Sequence, residues 1–199
     1  MIEKSSPKRR KKRNAIIKEA RKIFGKYGYK KTSLNDIAKK MRIGKSSLYY
    51  YFDSKETLYN AVVLYEAIIY RNMVLSCIRE NASPFDKLKS YILNRMQTDK
   101  ILCNFHQAIN DSELRYMNFV NRLNNLYDKE EYRLFRNILK SGIKTGYFEI
   151  RDLKNAAIGI VTAMRGIEST ILLYPNDPNN EKKIDNILQI ILYGIVKQN

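Results

Sequence analysis

The sequence predicts an all-α protein, and three observations carry that reading. Apolar residues recur at helical spacing along nearly the whole chain, while the alternation that marks a strand persists nowhere. Capping signals stand in front of the periodic stretches, at Ser33, Asp53-Ser54, Ser83-Pro84 and Asp152. Glycine and proline, 8 and 4 in 199 residues, are too few for a fibrous or disordered chain. About nine helices without an internal repeat are expected.

Taken in order, residues 8–13 are a basic run, Lys-Arg-Arg-Lys-Lys-Arg, expected as a mobile arm or a fraying first turn. From Arg13 to Tyr27 the residues Ile16, Ile17, Ala20, Ile23, Phe24 and Tyr27 line one side of a helix that Gly28 stops. Ser33 opens a short helix, with Asp36 completing a capping box and Leu34, Ile37, Ala38 and Met41 facing inward. Arg42-Ile43-Gly44 is a three-residue turn, and a second short helix runs from Lys45 to Phe52. Two short helices joined this way form a helix-turn-helix. Asp53-Ser54 caps a longer helix from Lys55 towards Arg79. Ser83-Pro84 starts a helix bearing Leu88, Tyr91, Ile92, Arg95 and Met96, and a short piece covers Ile101 to Ile109. A stripe over 113–144 ends at Gly146. Asp152 then caps a helix from Leu153 to Tyr174, residues 175–180 form a loop, and Ile184, Ile187, Leu188, Ile191, Leu192 and Ile195 line the last helix.

Charge divides the chain. Residues 1–60 hold 18 basic and 5 acidic side chains, an excess of 13, whereas residues 61–199 hold 19 and 15, an excess of 4. A basic head on a nearly balanced body points to a polyanion-binding module joined to something else. Other classes recede. Two cysteines, Cys77 and Cys103, give no disulfide scaffold and fit a reducing cytoplasm. With His106 as the lone histidine, neither a structural zinc site nor a histidine triad has a local signature. No apolar run approaches the ~18 residues of a membrane span. The expectation is a cytoplasmic protein without catalytic function, cofactor or metal.

The chemistry concentrates on the second short helix. At helical spacing Lys45, Ser46, Tyr49 and Tyr50 share one half of its circumference, and the largely apolar Ser47, Leu48, Tyr51 and Phe52 the other. A lysine, a hydroxyl and two phenols suit a groove wall: phenols donate to phosphates, lysine reaches guanine O6/N7 or a phosphate, and serine lets the backbone approach. Packing of both tyrosines against another helix is the competing assignment. Lys55, in a first helical turn, opposes the macrodipole unless an anion binds there, although Glu56 beside it already complements the dipole.

The stretch Ala20, Phe24, Gly28, Thr32-Ser33-Leu34-Asn35-Asp36-Ile37-Ala38, followed by Ile43-Gly44-Lys45-Ser46-Ser47-Leu48-Tyr49-Tyr50-Tyr51-Phe52-Asp53-Ser54-Lys55-Glu56, resembles the N-terminal domain of TetR-family transcriptional regulators. The resemblance covers about residues 14–63. It implies base and phosphate contacts from Lys45, Ser46, Ser47, Tyr49 and Tyr50, phosphate clamping by Ser33 and Lys55, and a base contact by Asn35. Tyr50 stands where histidine is frequent, Gly44 where a serine or threonine often caps the helix, and the basic run exceeds the pattern.

The resemblance further implies a DNA-binding domain over 1–54 and a helical effector-binding and dimerisation domain over 55–199. The partners it implies are double-stranded operator DNA, a second copy of the chain joined through the last two helices, and an unidentified small-molecule effector, with no membrane. Ala156, Ala157, Gly159, Ala163 and Gly166 would permit close helix approach, although the same face could serve as intrachain core. Candidate pocket residues are Tyr70, Met73, Met96, Cys103, His106, Met117 and Met164, each of which could equally be core. The expected function is a dimeric repressor released from its operator by the effector. The alternative is a non-specific architectural DNA-binding or membrane-surface protein led by the basic run.

Overall fold

The computed structural model describes residues 6–76, 78, 82–98, 103–111, 113–114, 117–173 and 177–193. Among them nine helices carry the chain and no strand forms: α1 (Pro7–Tyr27), α2 (Leu34–Lys40), α3 (Lys45–Tyr49), α4 (Lys55–Ser76), α5 (Pro84–Thr98), α6 (Cys103–Asn110), α7 (Asn118–Lys144), α8 (Leu153–Leu173) and α9 (Asn180–Tyr193). No described helix is long and apolar enough to cross a membrane.

Two expectations on local structure are corrected. The basic run is neither an arm nor a frayed turn, because α1 starts at Pro7. The Ser6 hydroxyl accepts the Arg9 amide N–H at 3.3 Å, and Pro7 fills a first-turn position where its missing donor costs nothing. The second short helix ends at Tyr49 instead of Phe52, as the Tyr51 N–H turns to the Leu48 carbonyl at 3.0 Å and tightens the last turn.

Two compact units divide the chain, Met1–Ile69 with Leu102–Asn121, and Tyr70–Ile101 with Arg122–Asn199. The first unit therefore takes in α6 and the first part of α4 along with the expected head. Its core is built from Ile16, Ala20 and Phe24 of α1, Ile37 of α2, Leu48 of α3, and Leu58, Tyr59, Val62 and Val63 of α4. Phe24 meets Tyr59 edge-on at 5.1 Å between ring centres, and Tyr29 joins them at 4.6 Å from Tyr59.

Within this apolar core lies a carboxylate. Glu66 of α4 is fully buried and accepts from Arg21 Nε of α1 at 2.7 Å, Asn104 Nδ2 at 2.8 Å and the Phe105 backbone N–H at 2.8 Å. The last is an orphan donor of the first turn of α6, so Glu66 acts as a tertiary cap for that helix. Asn104 Nδ2 also donates to the Arg21 carbonyl at 3.0 Å. Three helices converge on one negative charge.

The second unit has its own version of this device. Glu131 of α7 pairs with Arg95 of α5 and accepts the Tyr91 hydroxyl at 2.6 Å, while the Tyr91 ring meets Phe135 at 4.9 Å. Gly142 of α7 is obligatory, since a Cβ there would overlap the Phe148 ring. Asp152 caps α8 through the Asn155 N–H at 3.0 Å.

Glu66→Ala removes the acceptor that Arg21, Asn104 and the Phe105 amide share in a site closed to water, while Asn104 keeps its bond to the Arg21 carbonyl. It is expected to destabilise the chain by about 3 kcal/mol, read as a lower urea midpoint.

Candidate nucleic-acid interface

The helix-turn-helix is set by two local devices. At its start the Ser33 hydroxyl donates to Asp36 Oδ2 at 2.6 Å and accepts the Asp36 N–H at 3.2 Å, and the Ser33 N–H donates back to Asp36 at 2.8 Å. The Ser33 hydroxyl, then its backbone N–H, hold the Asp36 carboxyl below its ordinary range. Folding depresses this pKa, so the stabilisation is present above the usual carboxylate range and lost as pH falls through the folded value. At the turn the Ile43 N–H reaches the Ala38 carbonyl at 3.1 Å and the Arg42 N–H the Lys39 carbonyl at 3.1 Å. This is a Schellman closure. The residue in the left-handed region is Arg42, at φ 54, while Gly44 is extended at φ −64 and caps α3 with no side-chain bond.

α3 then divides as the wheel requires. Leu48 and Phe52 are buried, and Ser47 and Tyr51 half-buried. Lys45 and Ser46 are exposed, with Tyr49 42% and Tyr50 63% exposed, so neither phenol is spent on helix packing in this chain. The Lys45 ammonium lies 5.7 Å from the Tyr49 ring centre. Asn35 is exposed on α2. Ser33 is exposed too, but its hydroxyl is already engaged in the capping box.

Lys55 is half-buried and committed in part. Its ammonium donates to the Tyr29 carbonyl at 3.1 Å and sits 4.2 Å from the Tyr29 ring centre, tying the loop after α1 to the start of α4. Ser54 and Thr57 cap this helix reciprocally, with 3.1 Å in each direction between amide and hydroxyl.

Sequence reasoning missed the residues that flank α3. The Arg9 guanidinium lies 5.1 Å from the Tyr50 ring centre and that of Arg13 4.8 Å from Phe52. Arg10 and Tyr51 join them around a cleft of about 210 Å³. A signal was present: Arg9 and Arg13 continue backwards, at i−4 steps, the stripe that Ile17 and Ala20 bury.

The candidate effector residues fall into both units. Tyr70, Met73 and Met164 belong to the second: Tyr70 and Met164 are buried, and the Met73 carbonyl accepts from Asn94 at 3.0 Å. Met117, half-buried ahead of α7, belongs to the first, as do the backbones of Cys103 and His106 in α6. The side chains of Cys103, His106 and Met96 lie outside the described residues. Near Tyr70, Tyr127 sits with ring centres 6.5 Å apart, and burial, then the Glu130 charge, push its phenol up to about 12. It stays a neutral donor at any physiological pH.

The sequence profile of bacterial regulatory proteins of the tetR family matches residues 16–62, and that of the QacR-like protein C-terminal region matches residues 78–197. The chain belongs to the TetR family of bacterial regulatory proteins. Among curated relatives, the biofilm operon icaADBC HTH-type negative transcriptional regulator IcaR of Staphylococcus aureus is 47% identical over 51 residues, 26% of this chain and 27% of that protein. The match thus spans about a quarter of that relative's length.

A solved structure of a transcriptional regulator from Cytophaga hutchinsonii is 26% identical, with a TM-score of 0.76 over 94% of this chain and 99% of that one. One from Saccharomonospora viridis, a putative transcriptional regulator in complex with choline, shares the fold at 17% identity and a TM-score of 0.83, covering 94% and 99%.

Arg42→Gly relieves a left-handed Arg that costs about 1 kcal/mol. The expected outcome is a stability gain of several tenths of a kcal/mol, seen as a raised melting temperature; an unchanged or lowered one contradicts the strain assignment.

Proposed function

We propose that the chain is a dimeric, sequence-specific DNA-binding regulator, a repressor that a small-molecule effector releases from its operator. The observation that carries this reading is the exposed face of α3, where Lys45, Ser46, Tyr49 and Tyr50 stand clear of the core beside the arginines of α1. In this reading Lys45 and Tyr49 read or approach bases, Ser46, Ser47 and Tyr50 contact bases or phosphates, Asn35 of α2 touches a base, and Ser33 and Lys55, at the starts of α2 and α4, face phosphates. An ammonium has three donors, and Lys55 spends one on Tyr29, so phosphate contact remains open to it. The name of the Staphylococcus aureus relative supports repression, and the choline complex supports a small-molecule site in this fold. In the cytoplasm such a protein has both partners at hand.

We divide the functions at residues 54 and 55, the head reading DNA and the remainder binding effector and partner. α4 belongs to both compact units and is one of the covalent routes between them. Support for pairing through α8 and α9 comes from Ile158, Ile190 and Tyr193, at 43%, 71% and 60% exposure, and from Gly159, where nothing among the described residues crowds an added Cβ. Two heads on one duplex sit one helical turn of ~34–36 Å or a multiple apart. An effector shifts that spacing only through its differential affinity for the two states, and linkage requires operator DNA to weaken the effector by the same factor. Non-specific architectural or membrane-surface binding leaves the phenol-rich face of α3 without a task.

A duplex enriched from a random pool by the wild-type protein provides the test, with mixed-sequence DNA as competitor. Lys45→Ala is expected to lose about 1–3 kcal/mol on the enriched duplex and little on mixed DNA. Lys55→Ala is expected to weaken both alike and to reduce the salt slope by about one. Failure to enrich any sequence would refute sequence-specific recognition.

A further inference from the structure

The DNA contacts assigned above use α3 and the starts of α2 and α4, and they leave a second cationic surface of the head without a task. An open cleft of about 700 Å³ runs between the second half of α1 and α2. Five ammoniums line it, those of Lys22 and Lys26 on α1, Lys31 on the loop, and Lys39 and Lys40 on α2. The Tyr27 ring, 54% exposed, forms part of its wall with the apolar Ile23 one turn before it. The two carboxylates among the described lining residues are already committed: Glu19 accepts from Lys22 at 3.0 Å, and Asp36 serves the capping box of α2. No ion pair engages Lys31, Lys39 or Lys40 among the described residues, and the Lys26 ammonium lies over the Tyr27 ring, 5.2 Å from its centre. The cleft belongs to the far half of the helix, with Lys26 about 30 Å along α1 from Ser6.

Helix dipoles account for three of these cations singly, since Lys26 stands in the last turn of α1 and Lys39 and Lys40 in that of α2. They do not account for the convergence of all three with Lys22 and Lys31 around an exposed ring. Charge complementarity calls for a polyanion and disfavours a second copy of the head, where basic residues exceed acidic ones by 13 over residues 1–60. Two features favour an acidic polypeptide over a nucleic-acid backbone. A phosphodiester chain carries charge at every step and no apolar group, so it leaves Tyr27 and Ile23 uncovered and brings charge against Glu19 and Asp36. A peptide sets carboxylates only where ammoniums stand and lays an apolar side chain on the ring, the usual division of an interface into apolar centre and polar rim. The cleft also opens on the flank of α1 away from α3. At ~100° per residue Lys22 lies about 180° round the helix from Arg13, whose guanidinium lies over Phe52.

We propose that the cleft between α1 and α2 docks an acidic segment of a partner protein, with carboxylates interrupted by aromatic or aliphatic side chains, and that it does so while α3 holds DNA. Lys26, Lys31 and Lys40 meet the carboxylates, and Tyr27 takes the apolar side chain. Docking in the cleft stands independently of the DNA-binding reading of α3, whereas simultaneous binding rests on it. A regulator built this way holds a second protein at its operator without giving up a base contact.

The test uses the full chain and a fluorescein-labelled peptide of glutamates interrupted by phenylalanines, read by fluorescence anisotropy. At about 0.15 M salt, screening over ~8 Å confines charge effects to near neighbours. Two counterpart peptides carry glutamine for glutamate or serine for phenylalanine, and both are expected to bind more weakly than the parent. Lys26→Ala, Lys31→Ala and Lys40→Ala are each expected to weaken the parent peptide about two- to fivefold. Lys18→Ala, which removes an exposed cation of α1 outside the cleft, is expected to leave it unchanged. Tyr27→Ser is expected to weaken the parent peptide and spare the serine counterpart, a selectivity that a folding defect would not produce. With saturating pool-enriched duplex the peptide is expected to stay bound, and the triple lysine variant to keep the wild-type salt slope on DNA.

A parent peptide that binds no better than its counterparts, or equal losses from Lys18→Ala and the cleft variants, overturns the docking site. A DNA salt slope lowered by about one per lysine makes the cleft a backbone contact and overturns the peptide assignment. Displacement of the peptide by the duplex overturns simultaneous binding. A wild type that binds the parent peptide selectively but no duplex overturns the reading of α3, and simultaneous binding with it, while upholding the cleft.

Discussion

One buried carboxylate sets the geometry on which the N-terminal head depends. Glu66 has no access to water, so its charge must be met inside the protein, and only one placement of α1, α4 and α6 brings Arg21, Asn104 and the Phe105 amide to it together. A purely apolar seam between these helices would tolerate sliding by a fraction of a turn. A charge with three directional donors does not, because any shift strands a donor or the carboxylate itself. The pose of α1, and through Phe24 and Tyr59 that of the start of α4, is thereby held against α6. A displacement of α6 is consequently felt at Arg21, eight residues along the helix from Arg13.

Around that rigid centre the surface of the head is left electrostatically unbalanced. α1 begins with cations at the positive end of its dipole, α4 begins with Lys55, and the turn before α3 places Arg42 where glycine would be relaxed. Local rules broken in one small region mark a functional surface more reliably than any single cation does. Lys55 shows how the chain limits the cost: its ammonium lies over the Tyr29 ring and donates to the Tyr29 carbonyl, which keeps the cation near the helix start without leaving it wholly dependent on an anion.

Much of this was legible in the sequence, for local reasons. The capping box at Ser33, the helix cap at Ser83, the stop at Gly28 and the inward face of Leu34, Ile37 and Ala38 follow from spacing alone. So does the exposure of Tyr49 and Tyr50. The start of α1 was hidden: Ser6-Pro7 is the same signal as Ser83-Pro84, but the charge run behind it suggested a mobile segment. The end of α3 was overrun because Leu48 and Phe52 keep helical spacing beyond the last helical residue. Glu66 was illegible for a different reason. Although spacing puts it on the buried stripe of α4, four residues from both Val62 and Tyr70, its partners lie 45, 38 and 39 residues away, so no local pattern says what meets its charge. The stacking of Arg9 on Tyr50 is equally non-local, joining two stretches that a sequence pattern treats separately.

The central claim, that paired heads read two major-groove segments through α3, is tested most directly by guanine methylation interference on the enriched duplex. The account predicts interference from N7 methylation, which lies in the major groove, at two symmetric clusters separated by one helical turn or a multiple. Interference at a single cluster, at irregular spacing, or only from adenine N3 methylation in the minor groove would contradict it.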